Sequence, residues 1–588
     1  MNLNFSGLSK EYEGRTIFHN IRGQINNGDK IGLIGANGVG KTTLVKLLTG
    51  REDKDAGKIN YSPSYIKTLY IEQYPEFDGG ISVYEDISKF LSQWNGNRNP
   101  SDAGDIDAMA KKALSRVGLG EEIWGQQAIS LSGGEKTKLV LARIFVCDFD
   151  FLILDEPTNH LDMEGYEWLE GFMNSLDKPI LAISHDRFFL DNVVNRIWEL
   201  TQKELKAYQG NYTRYRNQKE IEEKSIAREY DKQQTRIQQL KVMISDRENW
   251  YHKAHKSAGQ NDYLRARAKK QAGILKAKKS QLERLEKEKI EKPRKEPSPA
   301  FDVINKYVSG RRFPRSLIQG KNISKSYGQN QILKDISFNI MRGDKIAVIG
   351  GNGSGKTTFL KILCGLYHDY GGSLRISPSV SIAYFSQELE NLSYEDNILD
   401  NLLTEGASVQ ESRLLLASLL FRGDDVYQKV ANLSMGEKGR VAFAKLILSG
   451  ANLLVLDEPT NYMDIQSREK VEGALEEFQG SIVFVSHDRY FTKRLASRIF
   501  LIEDKKLRVF EGDYEYYLSK FRKKKIDEDK AKQRKNLGES IMKLELELAY
   551  LGGKLDQTLD EEEKEELNKR YLEVAKELNK KRKQDKRV

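Results

Sequence analysis

Two short glycine-rich segments carry residue types suited to binding phosphate groups. Gly35–Thr42 and Gly350–Thr357 both fit the pattern G-x-x-x-x-G-K-[ST], and each follows an apolar run. The glycines let backbone N–H groups surround phosphate oxygens, the lysine neutralises phosphate charge, and the hydroxyl can hold Mg²⁺. A glycine-rich turn without a ligand is the alternative for one such segment, but two copies favour binding of two nucleoside triphosphates. The predicted phosphate-binding residues are Gly35, Asn37, Gly38, Gly40, Lys41, Thr42, Thr43, Gly350, Asn352, Gly353, Gly355, Lys356, Thr357 and Thr358.

Acidic, imidazole and amide side chains after apolar runs could hydrolyse such a nucleotide. Phosphoryl transfer to water requires charge neutralisation and an oriented water molecule. An aspartate could bind Mg²⁺, the glutamate after it could polarise the water, and a histidine could donate to the γ-phosphate. The predicted catalytic residues are Glu156, Glu458, His185 and His487, and the predicted Mg²⁺ ligands are Thr42, Gln73, Asp155, Thr357, Gln387 and Asp457. An isolated Asp-Glu pair after a strand is also typical of a helix cap, but the ordered set favours catalysis.

The elements that must position these residues occur twice along the chain. Each half has a phosphate loop, a glutamine, a Leu-Ser-x-Gly-Glu segment, an apolar run ending in Asp-Glu, a further aspartate and a histidine. Apolar β-rich runs alternate with helical patterns in both halves, which predicts a mostly parallel α/β sheet in each. The first half has extra residues around Asn95 to Asp107, and their Gly/Asn/Ser/Asp-rich composition predicts a loop.

Two charged segments with helical periodicity lie outside these halves. The helical spacing of apolar residues in 214–298 predicts a hairpin of two long helices with its tip near Trp250–Tyr263. Apolar residues between 541 and 578 recur at heptad spacing on either side of a turn, which predicts an intramolecular helical hairpin; a dimeric coiled coil is the alternative. The predicted domains are therefore 1–213 and 299–520 for the two nucleotide-binding halves, 214–298 for the linking hairpin and 521–588 for the C-terminal hairpin.

Composition and charge limit the possible partners. The 588 residues carry a formal net charge of +9, and residues 216–296 hold 23 Lys and Arg against 13 Asp and Glu. Positive charge clustered on a helix indicates a polyanion such as nucleic acid, with a solvated helix face as the alternative. No run reaches the roughly 18 apolar residues of a membrane span, and the N-terminus lacks a signal pattern. With only two cysteines, these features predict a cytoplasmic protein without disulfides.

The ordered motifs resemble those of the ATP-binding-cassette superfamily, in which Leu-Ser-Gly-Gly-Glu is a specific signature. The resemblance implies that two cassettes pair head to tail, so that Lys41 shares one ATP with Ser434 and Gly436, and Lys356 shares the other with Ser132. Met435 departs from this pattern where the first cassette has a glycine. The further ATP-binding residues implied are Tyr12 and Tyr327 (stacking on adenine), Gln73, Ser132, Gly133, Gly134, Glu135, Asp162, Gln387, Ser434, Gly436, Glu437 and Asp464.

The overall layout, with two cassettes, no membrane span and a basic helical hairpin, resembles the ABC-F group. The resemblance implies an ATPase that uses Mg²⁺ and binds the ribosome as a monomer with intramolecular cassette pairing and without membrane subunits. Its hairpin would enter the exit-tRNA site and approach the peptidyl-transferase centre, contacting 23S rRNA and peptidyl-site tRNA. The residues implied to act at the tip are Trp250, Tyr251, His252, His255, Tyr263, Arg265 and Arg267.

The tip sequence, the Leu-Ser-Met-Gly-Glu segment and the C-terminal hairpin look similar to Vga/VmlR-type antibiotic-resistance members of that group. This similarity implies protection against lincosamides, pleuromutilins and streptogramin A. The alternatives are a housekeeping ABC-F translation factor that relieves stalled ribosomes, a DNA-acting ABC ATPase, and the soluble motor of a transporter. The short linker argues against the DNA-acting class, and the covalent basic hairpin argues against the transporter motor.

Overall fold

A computed structural model gives the fold of the chain. It describes residues 1–73, 77–94, 103–158, 161, 163–257, 262–288, 301–306, 308, 314–386, 391–403, 406–555 and 561–585. Two α/β cassettes, a long helical hairpin between them and a second helical hairpin after the second cassette make up these residues, which confirms the predicted fold class.

The first cassette combines a parallel sheet with a smaller antiparallel one. Its strands and helices are β1 (Asn2–Tyr12), β2 (Arg15–Asn26), β3 (Lys30–Ile34), α1 (Lys41–Leu48), β4 (Ala56–Ser62), β5 (Thr68–Ile71), α2 (Val83–Trp94), α3 (Ala103–Arg116), α4 (Gly133–Val146), β6 (Phe151–Asp155), α5 (Met163–Ser175), β7 (Ile180–Ile183), α6 (Arg187–Val193), β8 (Arg196–Leu200) and β9 (Leu205–Gln209). The six-stranded sheet has the order β5-β6-β7-β3-β8-β9 with only β9 antiparallel, and the three-stranded sheet has the order β2-β1-β4.

Burial on both faces explains why the central strands are almost entirely apolar. Helix α1 and the antiparallel sheet cover one face of the parallel sheet, and helices α2, α4, α5 and α6 cover the other. The neighbours β6, β7 and β3 all run in the same direction. Because parallel strands end at the same edge of a sheet, the residues that follow these three strands meet there, which is where ligands bind in such sheets.

The interdomain segment forms two long helices, and a short third helix follows it. They are α7 (Tyr212–Ser257), α8 (Asp262–Lys287) and α9 (Phe301–Asn305). Ile237, Leu240 and Ile244 are buried, whereas Ile226, which shares their helical spacing, is exposed. Ion pairs Lys241–Glu286 (2.9 Å) and Lys279–Glu248 (2.6 Å) join α7 to α8.

The second cassette repeats the first, and two helices follow it. Its elements are β10 (Ser316–Tyr327), β11 (Asn330–Met341), β12 (Lys345–Ile349), α10 (Lys356–Leu363), β13 (Gly371–Ile376), β14 (Ile382–Phe385), α11 (Ile398–Leu403), α12 (Val409–Ser418), α13 (Met435–Leu448), β15 (Leu453–Asp457), α14 (Ile465–Glu477), β16 (Ser481–Val485), α15 (Arg489–Leu495), β17 (Arg498–Glu503) and β18 (Lys506–Phe510), followed by α16 (Tyr514–Leu555) and α17 (Glu561–Asp585). Its sheets have the orders β14-β15-β16-β12-β17-β18 and β11-β10-β13, which match those of the first cassette.

The C-terminal helices pack on each other within one chain, as the heptad spacing predicts. Leu551 of α16 and Val574 and Leu578 of α17 are buried. Arg570 of α17 pairs with Glu547 of α16 at 3.0 Å. Helix α16 begins at Tyr514, which occupies the same place in the second repeat as Tyr212, the first residue of α7, does in the first. Both hairpins therefore start from equivalent corners of the two cassettes.

The loop predicted over Asn95 to Asp107 is wrong in its last part, because α3 already begins at Ala103. The residues before it, from 95 to 102, lie outside the described part of the chain. Asp107 forms an ion pair with Lys111 one helical turn later (2.8 Å) and accepts a hydrogen bond from Tyr84 of α2. Tertiary contact and i,i+4 pairing thus stabilise helix in a composition that locally favours a loop. None of the described helices combines the length and apolarity needed to cross a membrane.

Candidate active site

The two phosphate loops connect a buried strand to a helix in the same way. Gly40 and Gly355 precede α1 and α10 with φ angles of 100° and 99°, in the left-handed region that favours glycine. A Cβ at Gly40 would also lie 2.3 Å from Ile17 Cγ2. The Lys41 ammonium donates to the backbone oxygens of Gly35 (2.9 Å) and Ala36 (3.1 Å), so the lysine is folded back on its own loop. Lys356 makes the equivalent bonds in the second cassette.

An aspartate at the end of β6 or β15 lies close to the helix that follows each phosphate loop. The Thr42 hydroxyl donates to Asp155 Oδ2 at 3.0 Å, and the Tyr70 hydroxyl donates to the same atom at 3.2 Å. Asp457 accepts from Tyr384 at 3.4 Å in the second cassette. Burial raises the pKa of both aspartates above its ordinary value. A hydroxyl and a carboxylate that converge beside a phosphate loop are oxygen ligands of the kind Mg²⁺ takes together with phosphate oxygens and water.

Each glutamate predicted to be catalytic faces a histidine from the neighbouring strand. Glu156 accepts from the His185 backbone N–H at 3.3 Å, and its Oε1 lies 3.6 Å from His185 Nε2. Glu458 and His487 repeat this arrangement at 3.2 and 3.5 Å. The glutamates have φ angles of 50° and 51°, which strain a non-glycine backbone. Within the described residues, Oε1 of each glutamate is buried without a hydrogen-bond partner, as expected for an atom positioned to meet a water molecule or substrate.

Burial shifts the pKa values of Glu156 and His185 in opposite directions. Burial, and next the charge of Asp155, raise the pKa of Glu156 to about 7. Burial, with Lys41 and Arg468 adding to it, lowers the pKa of His185 well below its ordinary value. The imidazole is therefore neutral near pH 7, and it can donate through only one of its two nitrogens.

The signature segments begin helices α4 and α13. The Ser132 hydroxyl accepts from the Glu135 N–H, and the Glu135 carboxylate accepts from both the N–H (2.9 Å) and the hydroxyl (2.6 Å) of Ser132. Ser434 and Glu437 form the same capping box. The structure therefore places Glu135 and Glu437 in helix capping, where they orient the signature serines and leave the helix N-termini open.

The two cassettes pair head to tail and enclose one cavity of about 840 Å³. Both phosphate loops and both signature segments line it, together with both aspartate–glutamate pairs and both histidines. Across the interface, the Asn37 N–H donates to Asp464 Oδ2 (3.2 Å), and the Asn37 amide donates to the Tyr462 backbone oxygen (3.2 Å). Gly436 lies so close to this contact that a Cβ would come within 2.6 Å of the Tyr462 oxygen. The first phosphate loop thus contacts the second signature region, which is the head-to-tail pairing predicted from the resemblance.

Most of the predicted site residues meet in this cavity, although some lie elsewhere. Asp162 and Gln387 lie outside the described residues, and so do the side chains of Tyr251, His252, His255, Tyr263, Arg265 and Arg267. Trp250 lies in α7 and is exposed. Predicted ATP-binding residues that are described but do not line the cavity are Tyr12, Gly35, Glu135, Gly350, Glu437 and Asp464. Tyr12 ends β1 and is 42 % exposed, whereas Tyr327, at the equivalent place in β10, does line the cavity.

Ion pairs between the cassettes are a feature that the sequence reasoning missed. Arg187 makes two hydrogen bonds to Glu472, and both residues are only 2 % exposed. Arg489 pairs with Glu170 at 3.4 Å at the equivalent place of the other repeat. Burial alone would raise the pKa of Asp488, but Arg187 and Arg468 lower it, so Asp488 stays ionised beside them. The signal was present, because each arginine follows its histidine by two residues and the glutamates recur at equal offsets.

Comparisons with known proteins agree with this geometry. The ABC transporter family model matches residues 18–159 and 333–461, and an ABC transporter extension model matches residues 198–302. The chain is 33 % identical to the putative ATP-binding protein YdiF of Bacillus subtilis (88 % of this chain, 83 % of that protein). It is 33 % identical to ABC transporter F family member 5 of Arabidopsis thaliana (87 % and 76 %), and 31 % identical to the ribosome protection protein VmlR of B. subtilis (99 % and 98 %).

The solved structure of an RNase-L inhibitor has the same fold, with a TM-score of 0.56 at 20 % identity, covering 86 % of this chain and 90 % of that one. The paired ATP sites and the near full-length similarity to F-family proteins lead to one conclusion: the chain belongs to the ABC-F family of ATP-binding-cassette proteins, and it is an ATP hydrolase.

Proposed function

We propose that this ATPase binds the ribosome with its interdomain hairpin in the exit-tRNA site, and that ATP binding directs the hairpin toward the peptidyl-transferase centre. There it protects against lincosamides, pleuromutilins and streptogramin A. A relative named as a ribosome protection protein matches the chain over nearly its whole length. The observation that carries the proposal is the attachment of the hairpin base to both cassettes.

A buried cluster fixes the start of α7 to the first cassette. Glu199 of β8 accepts hydrogen bonds from Tyr215 (3.1 Å) and from the Lys219 ammonium (2.7 Å), both on α7. Tyr208 of β9 donates to Glu199 at 3.3 Å. A buried carboxylate satisfied by three donors holds its partners rigidly. The stem of the hairpin therefore moves with the first cassette.

The same end of α7 also contacts the second cassette. The Tyr212 hydroxyl donates to Glu469 of α14 at 3.1 Å, and Arg216 pairs with Glu469 at 3.2 Å. Asp464, the residue that bonds to the first phosphate loop, caps the N-terminus of helix α14. Opening or closing of the cassettes must consequently change the contacts of the stem.

The length of the hairpin amplifies such a change. Helix α7 has 46 residues. At 1.5 Å per residue it extends roughly 70 Å, so a rotation of about 5° at its base displaces the far end by about 6 Å. Loss of the γ-phosphate would release the pairing and return the hairpin. The basic residues of α8 would contact rRNA and tRNA phosphates, and the exposed Trp250 would stack on a base or reshape the drug pocket.

The cavity residues would perform hydrolysis with Mg²⁺-ATP. Thr42 with Asp155, and Thr357 with Asp457, would hold the ion beside the lysine of each phosphate loop. Glu156 and Glu458 would each orient a water molecule, and the neutral imidazole of His185 would hold the γ-phosphate by a hydrogen bond. Closure of the signature helix N-terminus over each nucleotide would exclude competing water.

The test uses the Glu156→Gln, Glu458→Gln double variant, which should bind ATP without hydrolysing it. With ATP it should sediment with ribosomes, and binding should weaken as salt increases, because phosphate contacts release counterions. The Lys41→Ala, Lys356→Ala variant is the matched control that lacks nucleotide binding. Failure of the trapped protein to sediment with ribosomes, with retention on duplex DNA instead, would show that the target is DNA.

Drug protection needs a separate measurement. Expression of the unaltered protein in a sensitive host should raise the inhibitory concentrations of the three drug classes. A Trp250→Ala variant should lose this protection while its ATPase activity persists. Ribosome binding without any change in inhibitory concentration would indicate the relief of stalled ribosomes instead.

A further inference from the structure

The two ATP sites differ at one position. In each site, this position is occupied by a residue of the opposite cassette. Arg468 of α14 and Tyr166 of α5 lie at the same offset after the catalytic glutamates of their own cassettes. Both line the shared cavity. Because the cassettes pair head to tail, each of these residues faces the site of the other cassette. The first site therefore meets an arginine where the second site meets an aromatic ring.

Arg468 makes a defined contact with the first site. Its Nη1 donates to the backbone oxygen of His185 at 3.2 Å. Its Nε donates to the Met463 oxygen at 2.9 Å, and its guanidinium pairs with Asp488 at 3.4 Å. The side chain is 13 % exposed. An arginine held by its own cassette at two points thus bonds to the backbone of the histidine that faces Glu156.

This contact acts on the geometry of the glutamate. The His185 N–H donates to Glu156 Oε2, while the His185 carbonyl accepts from Arg468. Both polar backbone groups of His185 are thereby engaged, one by each cassette. A displacement of this backbone would move the imidazole and the glutamate together, and misplacement of a catalytic group by about 1 Å can cost roughly 100-fold in rate.

We propose that Arg468 is a positioning residue for the first ATP site, supplied by the second cassette, and that the two sites are consequently unequal in catalysis. Hydrolysis beside Glu156 requires Arg468 across the interface. Hydrolysis beside Glu458 proceeds with the neutral ring of Tyr166 at the corresponding place. The Tyr166 ring is covered by Arg489, whose guanidinium lies 5.2 Å from the ring centre and which pairs with Glu170.

Proteins with only one active ATP site can show whether Arg468 positions Glu156 or only stabilises the pairing of the cassettes. Glu458→Gln leaves the first site as the active one, and Glu156→Gln leaves the second. Adding Arg468→Gln should lower kcat about tenfold or more in the Glu458→Gln background, with KM nearly unchanged because Arg468 positions the glutamate rather than the nucleotide. In the Glu156→Gln background the same change should alter kcat less than about twofold.

Two further variants complete the design. Arg468→Lys retains the cation and should recover part of the lost kcat. Arg508→Gln removes an exposed arginine of the same cassette that pairs with Glu503 at 3.2 Å, and it should leave both backgrounds unchanged. Equal losses in the two backgrounds would show that Arg468 only holds the cassettes together, and this result would overturn the proposal.

Hydrogen exchange gives a readout that does not depend on turnover. In protein without nucleotide, Arg468→Gln should accelerate exchange of the His185 amide, whereas the His487 amide should keep its rate. Exchange that rises equally at both histidines, or at neither, would contradict the proposed contact. If Arg468→Gln does not fold, Arg468→Lys replaces it, and a smaller acceleration confined to the His185 amide is then expected.

Discussion

Glu472→Gln tests whether one buried ion pair sets the strength of cassette pairing. The variant leaves the Arg187 guanidinium, 2 % exposed, with a neutral amide and with Asp488 at 3.5 Å. Removing one partner of a buried pair costs about 3–5 kcal/mol, and the remaining carboxylate places this case near 3 kcal/mol. The pair joins the two cassettes, so the loss should fall on their association rather than on the fold of either one.

The expected effect on ATP binding follows from this energy. Since each 1.4 kcal/mol is a factor of ten, about 3 kcal/mol weakens association by roughly 100-fold at most. Both ATP sites need the paired cassettes, so the apparent affinity for a non-hydrolysable ATP analogue should fall toward that limit in isothermal titration calorimetry. Circular dichroism should show that the secondary structure is retained.

Glu170→Gln is the matched control, because Glu170 contacts Arg489 at 3.4 Å at the equivalent place. Because this contact is longer and Glu170 is 12 % exposed, its loss should cost about 1.5 kcal/mol, the lower end for a bond to a charged group, and weaken ATP binding about tenfold. If both variants weaken binding equally, or if Glu472→Gln changes it less than about threefold, the buried pair does not control association and the reasoning fails.

Three other changes have defined outcomes. Gly436→Ala should raise the KM for ATP because its Cβ would come within 2.6 Å of the Tyr462 oxygen. An unchanged KM would mean that the backbone at Tyr462 moves away without cost. Thr42→Val should raise the Mg²⁺ concentration needed for half-maximal hydrolysis, and an identical Mg²⁺ titration would exclude the hydroxyl as a ligand. Burial raises the pKa of Cys147 and Cys364 to about 12, so thiolate is scarce at pH 8 and maleimide should label the native protein slowly and the denatured protein fast. Rapid labelling of native protein would contradict this burial.

The sequence predicted the fold class because the deciding signals are local and occur twice. A phosphate loop such as Gly35–Thr42 fixes a strand, a turn and a helix, and the order of the apolar runs leaves few ways to arrange a parallel sheet. Local composition wrongly predicted a loop at Ala103–Asp107, where contacts with α2 stabilise a helix. Local composition also does not indicate whether Glu135 and Glu437 of the signature segments face the nucleotide or cap a helix.

Features that depend on cassette pairing were missed because each cassette was considered by itself. Arg187 and Glu472 are far apart in the chain, and nothing local marks either as buried. Arg468 was overlooked for the same reason, since its target, the His185 carbonyl, belongs to the other cassette. Comparing the two repeats position by position would have identified it, because a cation in one copy stands where the other has a phenol.

The equivalent starting points of α7 and α16 define the unit that the chain repeats. Tyr212 and Tyr514 open the two rods, and a second tyrosine, Tyr215 or Tyr517, packs against each within the first turn. The repeating unit is therefore one nucleotide-binding lobe together with its own rod. The two rods differ in charge, because residues 216–296 hold 23 Lys and Arg against 13 Asp and Glu, whereas residues 521–588 hold 20 against 16.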